Sequence, residues 1–525
     1  MMFLRFLLAM LPIIWLVIAL SGLKMPGYKA CGIALVLSVI LGFTFWKMSP
    51  VNAATACLEG FLMAVWPIGL VIVAAVFTYN LTLETKAMDV IKRMLTSVSN
   101  DKRVLVLIIA WGFGGFMEGM AGFGTAVAIP AGMLVGLGMN PVFAACVCLV
   151  ANATPTAFGS VGIPTVTLGT VTGIDSGILA ATTGTQLVLL MLLTPFIMVS
   201  MCGKGLKALK GMIPTTLISA ISFVLPSWLA AHFIGAELPD ILGSICCMIC
   251  TILAAHVFNR KPDPQFCIEV EDEAGERQRK GQKEPSGNDK ITKKHAIKAW
   301  MPFILIFSFL LLTSRLVSPV NEFLAVFKSS VQVYTGEGGS PISFSWINTP
   351  GVWIFLSAFI GGAIQGAGIK TMLSVLKKTL INMSKTVFTI LSVMGTAKLM
   401  GYSGMISDIA AMFVSMTGSF YPLVAPLIGG IGTFVTGSGT SASVLFGGLQ
   451  AETAETLGIS AVWLSSANTV GACIGKIISP QSIAIAVGAI DAPGTESSIL
   501  KTAVRYCLLF LCIAGILVLI GAKFC

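Results

Sequence analysis

Charge is the scarcest property of this chain. Of its 525 residues, 33 are Lys or Arg and 23 are Asp or Glu, 11% together, where a soluble globular domain carries roughly 25%. With 56% hydrophobic residues, such a chain must bury apolar surface in a bilayer, which excludes a soluble enzyme. Histidine is almost absent, at 3 residues. There is no HExxH, Walker A or GxGxxG segment, so neither metal nor cofactor is expected. The 13 Cys are scattered through apolar segments without a pair of CxxC motifs and read as buried structural thiols. No A-x-A site follows the apolar run Phe6–Leu20, which reads as a retained helix and not a cleaved signal peptide. Gly401-Tyr-Ser403-Gly404 matches the GxSG of an intramembrane serine protease. No His stands on a convincing partner helix, so no enzyme is expected.

The charge that is present is clustered. Eighteen of the 56 charged residues fall in the 40 positions from Asn259 to Lys298. The net charge of +10 records basic cytoplasmic loops rather than a nucleic-acid partner, because Lys and Arg are retained inside during insertion. Apolar windows fall at about 6–22, 29–46, 58–82, 178–201, 213–234, 238–258, 296–316, 351–369, 386–403 and 503–522. Lys204, Lys207 and Lys210 place their loop inside, and the 235–240 connection, without a basic residue, outside. The 259–295 loop is basic, poor in aromatics and expected to be cytoplasmic and disordered. The 317–350 loop belongs outside, and the amphipathic stretch 370–385, with Lys370, Lys377, Lys378 and Lys385, returns to the cytoplasm.

An internal repeat emerges at a nearly constant offset. Gly122, Gly124, Thr125 and Gly132 match Gly437, Gly439, Thr440 and Gly447. Ala151-Asn152, Gly159 and Pro164 match Ala467-Asn468, Gly475 and Pro480, and Ile91, Met94 and Ser97 match Ile409, Met412 and Ser415. Three spans lie between the copies, so the second is inverted. The basic segment 84–103 and its uncharged-to-acidic counterpart 405–418 agree with that inversion. Inverted repeats with interrupted helices are the mark of secondary transporters.

The expected fold is an all-α polytopic membrane protein of about 12 transmembrane helices plus two re-entrant hairpins, in two inverted-topology repeats. An N-terminal helix (1–28) precedes the first repeat (29–201), which holds a hairpin at 104–137 and an unwound span at 140–172. Connecting spans occupy 202–350. The second repeat (351–525) holds a hairpin at 420–450 and an unwound span at 460–488, broken near Asn468-Thr469 and again at Ser479–Ser482. Irregular backbone at membrane depth must line a cavity or lie buried in protein. Its free N–H groups attract an anion, with Ser, Thr, Asn and Gln side chains completing the site. The candidate substrate residues are therefore Gly122, Gly124, Thr125, Asn152, Thr154, Ser438, Gly439, Thr440, Asn468, Thr469, Lys476, Ser479 and Gln481. Glu118, at the first hairpin tip, is the candidate proton carrier, because a carboxyl at depth is costly to keep charged. Lys476 reads as a partner for a substrate carboxylate, as a lysine that snorkels to the interface, or as the neutralising partner of Glu118. Glu59, Lys398, Asp408, Arg315, His232 and His256 read as residues at span ends.

The segments Glu118-Gly-Met-Ala-Gly-Phe-Gly124, Asn152-Ala-Thr-Pro-Thr-Ala-Phe-Gly159 with Gly162-Ile-Pro164, and Gly475-Lys476-Ile-Ile-Ser479-Pro480-Gln481-Ser482-Ile-Ala-Ile-Ala486 resemble the lactate permease family over nearly the whole chain. The resemblance implies a bacterial inner-membrane symporter that takes up L-lactate, D-lactate or glycolate with protons. It also implies membership of the wider ion-transporter superfamily. The chain departs from the family pattern GSDTSSN, having Gly439 and Ser443 in place of its Asp and Asn, and has Thr125-Ala126 in place of Ala-Pro. Sodium coupling through Asn152, Thr154, Asn468 and Thr469 is the alternative to proton coupling, with a passive anion channel behind both. The expected partners are a small organic acid, a proton and the lipid bilayer, and a homo-oligomer is compatible with the sequence.

Overall fold

Ile33, Val36 and Ile40 recur at helical spacing along Gly27–Thr44, and all three are exposed. Leu217, Ile221, Leu225 and Leu229 repeat the pattern on Ile213–Phe233, as do Leu509, Ile516 and Ile520 on Glu496–Gly521. Lipid is the solvent that suits such faces, since each helix satisfies its own backbone. The computed structural model describes residues 2–19, 23, 25–122, 124–203, 205–259, 263–268, 292–314, 316–339, 341–492 and 494–524. Eleven of its helices are long and apolar enough to cross a membrane, or twelve when the bent pair Pro141–Ala151 and Pro155–Thr172 forms one span. The protein is an all-α polytopic membrane protein. Among the described residues its one sheet is a two-stranded antiparallel ribbon, Lys328–Val331 with Ile342–Ser345. Most of the 259–295 loop lies outside the described residues, as do Phe123, Lys204 and Arg315.

Between apolar helices, association depends on close packing over small residues. A Cβ added at Gly471 would run into the carbonyl oxygen of Pro426, and one at Gly475 into that of Gly430. Helices Tyr421–Thr436 and Ala461–Gly475 thus lie backbone against backbone.

Two helix pairs turn back at glycine. Thr125–Gly136 packs beside Lys102–Met120, and the turn runs through Gly122 and Gly124, both at positive φ. Gly439–Leu457 packs beside Tyr421–Thr436 after a turn at Gly437, again at positive φ. Such backbone favours a residue without Cβ.

Two expectations need correction. The helix Ala461–Gly475 runs unbroken through Asn468 and Thr469, and the interruption comes at Ser479. Proline accounts for the difference: Pro155 follows Asn152 by three residues, whereas Asn468 meets none until Pro480. In addition, the stretch 370–385 and the span 386–403 are one 35-residue helix, Ile369–Ser403. At about 1.5 Å per residue it is roughly 52 Å long, more than the ~30 Å hydrocarbon core needs. Its early turns carry exposed Lys370, Lys377 and Lys378.

Candidate functional site

The helix Lys102–Met120 ends two residues beyond Glu118, the helix Pro141–Ala151 ends at Asn152, and Ala461–Gly475 ends at Lys476. Three interrupted helices therefore deliver their last polar side chains to one place. Lys476 Nζ lies 2.6 Å from Glu118 Oε1, and the two residues are only 8% and 2% exposed. With its amide turned to suit these neighbours, Asn152 donates to Glu118 Oε2 at 3.0 Å and accepts from Lys476 Nζ at 3.1 Å. A Cβ at position 159 would lie 2.6 Å from Glu118 Oε1, so Gly159 leaves the carboxylate its room. The charges cancel within the protein, as buried charges must.

Beside the pair is a cavity of about 430 Å³. Part of its wall is built from the first turns of three helices. Gly124 precedes Thr125–Gly136, Ser438 to Ser441 open Gly439–Leu457, and Gln481 and Ser482 open Pro480–Ala489, while Gly159 and Ser160 belong to the non-helical stretch before 163–172. Helix N-termini carry unsatisfied N–H groups and a partial positive charge. Three of them together with Lys476 make the cavity suited to a small anion. Its mouth is bordered by Tyr28, Lys385 and Thr389.

Of the residues expected from the sequence, Glu118, Gly124, Ser438, Gly439, Thr440, Lys476 and Gln481 line the cavity. Asn152 stands behind them, holding the ion pair. The remaining six are not part of the lining. Gly122 forms the turn, and Thr125 Oγ1 donates to its carbonyl at 2.7 Å. Ser479 caps Pro480–Ala489. Thr154, Asn468 and Thr469 are buried, and each keeps a side-chain oxygen without a hydrogen-bond partner. Thr156, Ser160, Ser441 and Ser482 line the cavity although the sequence reading passed over them. Ser441 and Ser482 directly follow Thr440 and Gln481, where a helix-start pattern points to them, whereas Thr156 and Ser160 lie two and six residues beyond Thr154. Among the described residues no group of three or more His, Cys, Asp or Glu side chains gathers to hold a metal.

A second polar cluster lies apart from the cavity. Glu59 and Lys398 were expected at span ends, yet Glu59 is fully buried and its Oε1 lies 3.0 Å from Lys398 Nζ. Glu59 also accepts from the Tyr402 hydroxyl at 2.7 Å and from the Tyr334 backbone N–H at 3.3 Å. The rings of Tyr334 and Tyr402 stack at 3.7 Å. Burial, reinforced by Glu337 and Glu59, pushes the Tyr334 phenol above its ordinary pKa. The cluster was missed because it needs the 332–337 loop to fold back onto helices Pro50–Met63 and Ile369–Ser403. Asp408, His232 and His256 behave as expected at helix ends: Asp408 accepts from Trp46 Nε1 at 2.9 Å, and both histidines are exposed.

Comparison with known proteins adds a family. A family model described as L-lactate permease matches residues 5–525. The chain is 44% identical to an L-lactate permease of Streptococcus iniae over 466 residues, covering 89% of this chain and 94% of the relative. It is 35% identical to the glycolate permease GlcA of Escherichia coli K12 over 541 residues, covering 98% and 95%. Among solved structures it is similar in fold to the YdaH transporter of Alcanivorax borkumensis, with a TM-score of 0.52 at 15% identity, covering 94% of this chain and 98% of that one.

Proposed function

The chain belongs to the L-lactate permease family, and from that premise we propose that it carries lactate or glycolate across the bacterial plasma membrane together with a proton. The observation that carries this reading is the buried Glu118–Lys476 pair at the edge of a cavity rimmed by helix N-termini. In the empty site Glu118 occupies the lysine. A proton on Glu118 neutralises the carboxylate and frees Lys476 for the carboxylate of the substrate. Proton and anion then bind together because each removes the penalty of the other. The N–H groups around Ser438 to Ser441 and Gln481 orient the anion, and the hydroxyls of Thr156 and Ser160, which donate to the carbonyls of Asn152 and Ala121, can accept from a 2-hydroxyl group.

We read the two glycine-turned helix pairs as re-entrant hairpins of two inverted repeats. The matching turns at Gly122–Thr125 and Gly437–Thr440 support this, as do the interruptions after Asn152 and Lys476. In this reading the cavity mouth at Lys385 faces the cytoplasm and the 235–240 connection faces outward, by the distribution of basic residues.

The test is uptake of labelled lactate and glycolate into reconstituted vesicles, with pH and sodium gradients imposed separately. An inward proton gradient should drive accumulation at constant sodium. In Glu118→Gln, which mimics the protonated carboxyl, gradient-driven accumulation is expected to fall at least about 10²-fold. Exchange across equal pH should survive, because Lys476 stays free for substrate. Unchanged accumulation in that variant would remove Glu118 from the coupling. Sodium coupling is the second reading, favoured by the partnerless buried oxygens of Thr154, Asn468 and Thr469. Accumulation driven by sodium at constant pH would establish it instead.

A further inference from the structure

Asp240 opens the helix Pro239–Phe258 and is 1% exposed, yet neither of its carboxylate oxygens has a hydrogen-bond partner. That arrangement is unlike the other buried carboxylates already described, Glu118 and Glu59, each held by a lysine and further donors. An ionised carboxylate without partners is among the most costly groups to bury, and a proton on it removes that cost.

Its place in the fold gives that proton a use. A Cβ added at Gly119 would lie 2.9 Å from the Asp240 Cβ, so Asp240 packs directly against the residue that follows Glu118. Glu237 and Leu238, three and two residues before it, line a separate cavity of about 400 Å³. That cavity is bordered by Ser176, Asn348 and Thr349 and lies beside the 235–240 connection. Asp240 thus follows in the chain two residues that line this cavity, and in space it meets the neighbour of Glu118, which lines the other. Farther along the same helical face, Ser244 also buries a hydroxyl without a partner, opposite Gly115.

We propose that Asp240 is a proton-binding site that relays protons between the Glu237–Leu238 cavity and the Glu118 carboxylate. A proton from the cavity adds to an Asp240 oxygen. Because neither Asp240 oxygen has a hydrogen-bond partner, the O–H bond so formed breaks as the proton passes to a water, which gives up one of its own protons to a Glu118 oxygen, and the Asp240 carboxylate is reloaded from the same cavity. The charged and titratable groups that face Asp240 are few. Glu118 on Lys102–Met120 and Lys476 beyond Ala461–Gly475 act on it electrostatically, and Cys473 shares that neighbourhood. Glu237 stands on its own connection. Helix Ile213–Phe233, packed along the whole of Pro239–Phe258, offers only the exposed His232, and the turn Pro155–Phe158 offers none. The relay rests on the proton-coupled reading above.

Asp240→Asn keeps the size of a neutral carboxyl and removes the exchangeable proton. In reconstituted vesicles it is expected to slow proton-driven accumulation of lactate at least about 10²-fold, while exchange at equal pH stays within about twofold of wild type. The acceleration of uptake at acid external pH should vanish with it. Accumulation at the wild-type rate would overturn the relay. Loss of exchange in equal measure would overturn it as well, since that result marks a structural role. Infrared spectroscopy of the purified protein gives a readout independent of transport. A carbonyl band of a protonated carboxyl, present in wild type, should be missing from Asp240→Asn. If that variant does not fold, Asp240→Glu should move the band, and an unmoved band would overturn the assignment. Should uptake prove sodium-driven and indifferent to pH, the coupling reading fails, but the band still decides whether Asp240 holds a proton.

Discussion

Lys476→Met is expected to abolish both accumulation and exchange of lactate, and to destabilise the protein as well. The substitution keeps much of the side-chain volume and removes the charge. Glu118 then sits 2% exposed with its principal partner gone and only Asn152 left to donate to it. Breaking a buried ion pair from one side typically costs about 3–5 kcal/mol, because the remaining charge stays uncompensated. The double variant Glu118→Gln with Lys476→Met removes both charges. Thermal unfolding in detergent should show most of the lost stability restored, whereas uptake should remain absent because no cation is left for the substrate. Recovery of transport in the double variant, or wild-type exchange in the single one, would show that Lys476 does not bind the anion.

A second large effect is expected far from any charge. Gly471→Ala places a methyl group against the carbonyl oxygen of Pro426, and that oxygen belongs to helix backbone that has no rotamer to escape into. Overpacking typically costs about 1–3 kcal/mol, and collision with a rigid backbone belongs at the upper end, about 3 kcal/mol. Because Ala461–Gly475 leads straight into Lys476, moving it also displaces the ion pair. Gly488→Ala is the control: nothing lies within 4 Å of its added Cβ, and its backbone is helical. There the higher helix propensity of alanine should be neutral or stabilising, by up to about 1 kcal/mol. Melting temperatures of the two variants should differ in opposite directions from wild type, and equal shifts would contradict the close contact.

Much of this architecture is legible in the chain because bilayer physics leaves few options. Apolar runs place the spans, and Gly122, Gly124 and Gly437 mark the two turns because few other residues take positive φ there. Glu118 and Lys476 stand out because charges at depth are rare. Their pairing across 358 residues is one of three readings open for Lys476, and only the fold brings the two atoms to 2.6 Å. What escaped the sequence depends on contacts that no local pattern encodes. Asp240 sits in Gly-Ala-Glu-Leu-Pro-Asp, a stretch that reads as an exposed loop, and its burial comes from Lys102–Met120 reaching it with a glycine. Glu59 is hidden by a tyrosine 275 positions away. The break at Ser479 is legible in the sequence through Pro480, and only the one expected near Asn468-Thr469 is absent.

The ion pair has an electrical consequence. Empty, the site holds one negative and one positive charge, which cancel. Loaded in the proposed way, it holds a neutral Glu118, a positive Lys476 and a negative substrate, which cancel again. Moving a full charge through the membrane field is worth about 2.3 kcal/mol per 100 mV. In the proposed proton-coupled cycle neither the loaded nor the returning carrier presents that charge, so voltage has no lever on that cycle and the pH difference supplies its driving force. Uptake that rose with an imposed potassium diffusion potential would mean that a further charge moves with the substrate.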